Sequence, residues 1–190
     1  MYRKAFIALG FCLVIVGLVG ITKASIMPIK AIIGQQYLEV AWKESLRANK
    51  LSKPWRSADF YMIGKLTVPK LKISRVILNS STGEAMAWGI GRVDTAQSSS
   101  KGGPIILAGH RDSHMQFMSK LNVGDKIELM MSDGLVKTYI ISGKEVSDKP
   151  EVTLSPVPLG RESLILTTCW PFNSVKSGPE RFIMIGEATE

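Results

Sequence analysis

The 190-residue chain is expected to be mainly β: a small closed β-barrel with short helices, preceded by an N-terminal membrane helix. Two observations carry this expectation. From residue 58 onward the sequence breaks into short apolar or alternating runs separated by Gly, Pro, Asn and Asp, a pattern of short strands at close spacing that favours a barrel. Before that point, residues 5–21 form 17 consecutive positions without a charged or strongly polar side chain.

The N-terminal run comes first. As a helix, 17 residues span roughly 25 Å, just short of a typical hydrocarbon core of about 30 Å. Arg3 and Lys4 precede it and Lys23 follows. Thr22-Lys23-Ala24 loosely resembles a signal-peptidase site, so a cleaved signal peptide is the competing reading. The apolar run is longer than the usual signal core, which favours a retained signal-anchor. The nearly balanced flanking charges say little about orientation, but a short basic tail ahead of the helix is the usual layout of a signal-anchor and places residues from about 24 onward outside the cytoplasm. Residues 1–24 are therefore expected to be the anchor and 25–57 a helical stalk. Within the stalk, Ile29, Ile32, Ile33, Tyr37, Val40, Ala41 and Leu46 recur at helical spacing, predicting an amphipathic helix over 29–50 that packs on the barrel, with a lid over the site as the alternative role.

Residues 58–190 form the expected barrel domain. Strands are predicted at 63–68, which Pro69 ends, and at 73–78. Residues 82–89 look like one helical turn bounded by glycines. Residues 97–103 are a Ser/Gly loop, 104–108 a buried strand, and 115–121 a short helix. Strands 126–131 and 136–142 form a hairpin around Ser132-Asp133-Gly134-Leu135, in which Asp-Gly is a strong turn signal. A long proline-bearing loop covers 146–162, and strands at 164–169 and 181–186 close the domain.

Charge and composition exclude several classes of function. The formal net charge is +8, but it is unevenly placed. Residues 1–60 hold 9 Lys+Arg against 3 Asp+Glu, whereas residues 61–190 hold 15 against 13. The basic excess lies beside the apolar run, where it suits anionic lipid or simple solvation. No basic stripe interleaved with aromatics marks a nucleic-acid surface. Of the two cysteines, Cys12 sits in the apolar run and Cys169 far along the chain, so neither a disulfide framework nor a zinc spacing exists.

The chemistry concentrates in three places. Pro104-Ile105-Ile106-Leu107-Ala108-Gly109-His110 is an apolar strand that ends in a histidine. Leu164-Ile165-Leu166-Thr167-Thr168-Cys169 ends in a cysteine. Arg181, twelve residues on, opens the next strand. A thiol, an imidazole and a permanent cation are the parts of a cysteine acyl-transfer site, with nucleophile, proton carrier and oxyanion partner. Taken singly, a strand-end cysteine is more often a small buried hydrophobe, and Arg181 could be an ordinary surface arginine. His114 competes with His110 for the proton-transfer role. Asp112, two residues beyond His110, either orients the imidazole or is a solvated loop carboxylate.

These motifs, in the order His, Cys, Arg, resemble the sortases, a family of membrane-anchored cysteine transpeptidases. The likeness covers roughly residues 60–188, and the N-terminal anchor fits as well. Trp170-Pro171-Phe172 after the cysteine resembles the sortases of proteobacteria more than those of Gram-positive bacteria. The resemblance implies an eight-stranded sortase-type β-barrel, with Cys169 as nucleophile, His110 as general acid/base and Arg181 as oxyanion and substrate stabiliser. It further implies that Thr168 lines the substrate groove, with Val152, Leu154 and Pro156 as apolar contacts for the sorting signal. No acidic cluster suggests the calcium site that some sortases carry, and no cofactor or metal is expected.

The partners implied are a secreted protein bearing a C-terminal LPxTG-like sorting signal and an amine acceptor in the cell envelope. The implied location is the cytoplasmic membrane, single-pass, with the catalytic domain outside the cytoplasm and periplasmic in a Gram-negative cell. A membrane-tethered cysteine endopeptidase that only hydrolyses, and a non-catalytic barrel adaptor, remain as alternatives.

Overall fold

The structure, a computed structural model, describes residues 2–48, 50–94, 103–148, 162–176 and 178–189; within the first helix the side chains of 2, 4–5, 8–9 and 23–32 lie outside the description. Eight strands close into one barrel: β1 (Met62–Val68), β2 (Ile73–Leu78), β3 (Ile90–Arg92), β4 (Ile105–Ala108), β5 (Lys126–Met131), β6 (Val136–Ser147), β7 (Ser163–Cys169) and β8 (Arg181–Ala188), in the spatial order β1-β2-β3-β4-β7-β8-β6-β5 with β5 returning to β1. Two neighbouring pairs are parallel, β2 with β3 and β4 with β7. The remainder are antiparallel. Closure leaves no sheet edge unpaired.

Inside the barrel, Leu66, Val68, Ile77, Ile90, Leu107, Ile127, Leu129, Tyr139, Ile141, Leu164, Leu166 and Met184 pack with Phe117 and Met118 of the short 3-10 turn Gln116–Lys120 and with Leu121 just after it. Side chains alternate across a strand, so β7 sends Leu164 and Leu166 inward. Ile165 goes outward, where it meets Ile106 of β4 and Ile183 of β8 in a separate small cluster. β7 is thus buried on both faces, as its unbroken apolar run implied.

The hairpin β5–β6 turns where the sequence placed it. Gly134 adopts φ +81°, which favours glycine. Its N–H donates to Met131 O at 2.9 Å, and Asp133 Oδ1 accepts from the Leu135 N–H at 2.9 Å. The helical turn expected at 82–89 is α2 (Gly83–Trp88), capped by Thr82 Oγ1, which accepts from the Ala85 N–H.

Three boundaries differ from the sequence reading. β3 was not foreseen. It is three residues long with Gly91 at its centre, and pairing with β2 and β4 defines it rather than any propensity of its own. β6 runs to Ser147, with Val146 opposite Phe182, past the predicted strand end at residue 142; of the predicted loop, residues 149–161 lie outside the described residues. The anchor and stalk were read as separate elements, but residues 2–48 form one helix, α1 (Tyr2–Ala48).

The C-terminal part of α1 packs on the barrel. Leu38, Ala41 and Trp42 join Ala58, Phe60, Met62, Val76, Leu78 and Ala85 in a second apolar core. Polar contacts fix the docking. Gln35 Nε2 donates to Trp88 O at 3.1 Å and its Oε1 accepts from the Val76 N–H at 3.3 Å. Lys65 Nζ pairs with Glu39 at 2.9 Å. Further toward the N-terminus, Phe6, Ile7, Phe11, Leu13, Val14 and Ile15 are exposed. Among the described residues, no helix is long and apolar enough to cross a membrane.

Gly91 marks a close backbone approach. A Cβ there would fall against the Ser80 carbonyl and 2.8 Å from Ser81 Cα, both backbone atoms that cannot swing away. Gly91→Ala should destabilise the fold by about 1–3 kcal/mol, read as a lower urea midpoint. Gly83→Ala, at the open first position of α2, should be neutral or stabilising by up to about 1 kcal/mol in the same assay.

Candidate active site

Strand register brings the three predicted residues to one end of the barrel wall. β4 and β7 run parallel with Ile106 opposite Ile165 and Ala108 opposite Thr167. Continuing the count puts Gly109 beside Thr168 and His110 beside Cys169. On the other side of β7, Cys169 is directly opposite Arg181 of β8. The pleat sets the face. Ile165, Thr167 and Cys169 share the outward side with Ile183 and Arg181, and β4, with Ile106 on that side, ends two residues before His110. His110, Cys169 and Arg181 are all partly buried. Cys169 is a free thiol.

The surrounding backbone is held by side chains. Thr168 Oγ1 donates to Gly109 O at 2.7 Å. The His110 carbonyl accepts from the Met115 N–H at 2.9 Å and so starts the turn that carries the chain away from β4. Arg111 reaches across to the loop after Cys169. Its Nη1 donates to Trp170 O at 3.3 Å, and its Nη2 donates to Ser174 O at 2.6 Å and Lys176 O at 2.7 Å. Arg181 Nη1 donates to the carbonyls of Gly178, Pro179 and Glu180 at 3.0, 3.1 and 3.0 Å. Its Nε and Nη2 make no hydrogen bond among the described residues. Two guanidinium groups therefore hold the segment between β7 and β8, Arg111 at Trp170, Ser174 and Lys176 and Arg181 at Gly178, Pro179 and Glu180. Guanidinium suits this work because it keeps its charge at any working pH and presents several donors in fixed geometry.

Behind Cys169, Trp170, Phe172 and Phe182 form an aromatic cluster with ring centroids 5.2–5.5 Å apart. They line a cleft of about 450 Å³ with Met118, Ser119 and Lys144.

Thr168 does not sit where the resemblance put it. It faces the barrel interior, is 3% exposed, and spends its hydroxyl on Gly109 O. The neighbouring Thr167 shares the outward face with Cys169; it is 5% exposed and its Oγ1 has no hydrogen-bond partner among the described residues. Val152, Leu154 and Pro156 lie outside the described residues. Asp112 is exposed. Among the described residues, no three His, Cys, Asp or Glu side chains converge as a metal site would require. Arg111 was not singled out from sequence. The signal was its place beside His110, but its partners sit more than 55 residues away and only the fold brings them within reach.

His114, the competing histidine, is 2% exposed, with Nε2 3.5 Å from Ala87 O. Burial pushes its pKa down to about 4, partly opposed by the Ala87 carbonyl and assisted by the charges of Arg75 and His110. The folded state therefore holds it neutral. Its contribution to stability is present above about pH 6.5, the unfolded value, and is lost as pH falls from there toward about 4, with a limiting size of about 3 kcal/mol. His114→Gln should flatten the dependence of the urea midpoint on pH between 6.5 and 4 relative to the parent protein. An unchanged slope would show that His114 is not held neutral.

Comparison with known proteins agrees with the architecture. The family described as Sortase domain matches residues 66–189. The chain is 32% identical over 124 residues to Sortase D of Bacillus subtilis, covering 65% of this chain and 62% of that protein. It is 29% identical over 131 residues to Sortase A of Bacillus anthracis, covering 66% of this chain and 59% of that protein. The chain thus spans about 60% of the length of these relatives. Among solved structures, sortase C-1 from Actinomyces oris superposes with a TM-score of 0.57 at 24% identity, covering 67% of this chain and 73% of that one. Sortase A from Corynebacterium diphtheriae superposes with a TM-score of 0.59 at 13% identity, covering 84% and 85%. With the domain match spanning most of the barrel, the chain belongs to the sortase family.

Proposed function

We propose that the protein is a membrane-anchored cysteine transpeptidase that cleaves a C-terminal LPxTG-like sorting signal and transfers the acyl group to an amine of the cell envelope. The observation that supports this reading is the register that sets Cys169 opposite Arg181 and ends β4, two residues before His110, alongside the same strand.

The steps follow from the chemistry of these groups. The Cys169 thiol passes its proton to His110, the thiolate attacks the carbonyl carbon of the scissile peptide, and the oxyanion of the tetrahedral intermediate faces the Arg181 guanidinium through the nitrogens not engaged with the loop. Protonated His110 gives its proton to the departing amine, leaving a thioester at Cys169. The acceptor amine, deprotonated by His110, attacks the thioester carbon and expels the thiolate, which completes a new amide bond. Two half-reactions through one covalent intermediate give ping-pong kinetics. Hydrolysis alone would use the same first half-reaction with water as acceptor.

The anchor is part of the proposal. The uncharged run 5–21 is helical, and its described apolar side chains are exposed, which suits lipid contact. We infer a single-pass protein of the cytoplasmic membrane with its barrel outside the cytoplasm. Assignment to the proteobacterial subgroup rests on Trp170-Pro171-Phe172 alone. Val152, Leu154 and Pro156 are proposed as sorting-signal contacts.

With a fluorogenic LPxTG-type peptide and triglycine, the parent protein should release the leaving fragment and join triglycine to the new C-terminus, as read by mass spectrometry. Cys169→Ala should abolish both products. His110→Ala should lower kcat about 10²–10⁴-fold, and Arg181→Ala about 10²–10³-fold. Cys169-dependent cleavage with water as the sole acceptor would make the protein a hydrolase instead. Full-length protein should also require detergent for extraction from membranes, whereas a variant lacking residues 2–24 should appear in the soluble fraction with an unchanged Tm. Release of the full-length chain by salt alone would rule out the anchor.

A further inference from the structure

We propose that Thr168 and Arg111 form a two-point lock that holds His110 in register with Cys169, each acting as a positioning residue for the pair. The inference rests on the reading of His110 and Cys169 as partners and extends it.

The β4–β7 ladder ends at Ala108 opposite Thr167. Beyond that rung, β4 stops and the chain enters the turn that begins at the His110 carbonyl. His110 and Cys169 therefore stand two rungs past the last paired residues, where ladder hydrogen bonds no longer set their separation. Two side-chain bonds take over. Thr168, just before the cysteine, donates to the carbonyl of Gly109, just before the histidine. Arg111, just after the histidine, donates to the carbonyl of Trp170, just after the cysteine. The contacts bracket the pair along the chain, Thr168 to Gly109 before it and Arg111 to Trp170 after it. Arg111 further secures that loop through Ser174 O and Lys176 O.

Proton transfer between thiol and imidazole needs their heavy atoms within about 2.6–3.2 Å, and a misplacement of about 1 Å can cost roughly 10²-fold in rate. A lock at this spot controls that separation directly. Thr168 suits the task because it is buried and its hydroxyl has one acceptor to reach. Arg111 suits it because a charged fork holds three carbonyls at once, which the single ammonium of lysine cannot match.

The test uses the full-length protein in detergent with Thr168→Val, Arg111→Met, Arg111→Lys and His110→Ala. The first readout needs no sorting signal: the rate of alkylation of Cys169 by iodoacetamide against pH, followed on the Cys169 peptide by mass spectrometry after digestion so that Cys12 does not interfere. The second is kcat and KM with the peptide and triglycine. Melting temperatures set assay conditions at which every variant is folded.

If the lock operates, Thr168→Val and Arg111→Met each move the alkylation profile toward that of His110→Ala. Each also lowers kcat by about 10–100-fold with KM within about twofold, and Arg111→Lys falls between Arg111→Met and the parent. In the His110→Ala background, Thr168→Val and Arg111→Met cost little more, because they act through the imidazole. A purely structural role would lower Tm but leave the profile and kcat at parental values in the folded variants, and that result would overturn the lock. So would an undiminished loss in the His110→Ala background. If His110→Ala itself leaves the profile unchanged, the pairing of His110 with Cys169 fails, and the lock fails with it. A profile sensitive to His110→Ala but not to the other variants removes the lock and leaves the pairing standing.

Discussion

β7 is covered on both faces and flanked by neighbours of opposite sense, β4 parallel and β8 antiparallel. Every other feature of the site depends on that placement. The parallel neighbour runs in the same direction, so the C-terminal end of β4 arrives where β7 ends. The antiparallel neighbour starts there. Three strands thus contribute an end, an end and a beginning to one spot, and the pleat turns Cys169 and Arg181 to the same side. A shift of one residue in either pairing would send one of them to the opposite face. The inner packing of Leu164 and Leu166 with Met184, and the outer packing of Ile165 with Ile106 and Ile183, resist such a slip from both sides at once.

Much of this was readable in the chain because the evidence was local. The apolar runs of β4 and β7, the Asp133-Gly134 turn and the Thr82 cap each lie within a few residues of the structure they specify. What was hidden depended on partners distant in sequence. β3 is too short for any pattern to announce it. The continuation of β6 through Gly143 and Lys144 reads as loop until β8 lies beside it. The change from a uniformly apolar to an amphipathic pattern near residue 22 suggested two helices, although nothing in the backbone separates them.

The exchange of roles between Thr167 and Thr168 is instructive. The position of Cys169 at a strand end could be read from the sequence, but the strand is apolar on both faces and offers no polar side to set the phase of its alternation. Two adjacent threonines were therefore indistinguishable until the inner and outer clusters assigned Leu166 to one and Ile165 to the other. Arg111 was hidden for a different reason. Its side chain acts at a distance, and the carbonyls it holds belong to a loop whose path is set by the barrel and not by the residues around the arginine.

One consequence follows from the length of α1. A helix rises about 1.5 Å per residue, and Gln35, the first polar docking contact, stands about 14 positions beyond the end of the uncharged run at Ile21. If that run lies in lipid, the barrel is carried on a stiff post roughly 20 Å tall and not on a slack leash. The Cys169 thiol is then held at a constrained altitude over the bilayer. Under the proposed function, a client protein held in the same membrane would have to present its cleavage point at that altitude, so the number of residues between a client's sorting motif and its own membrane segment would become a selection rule in addition to the motif itself.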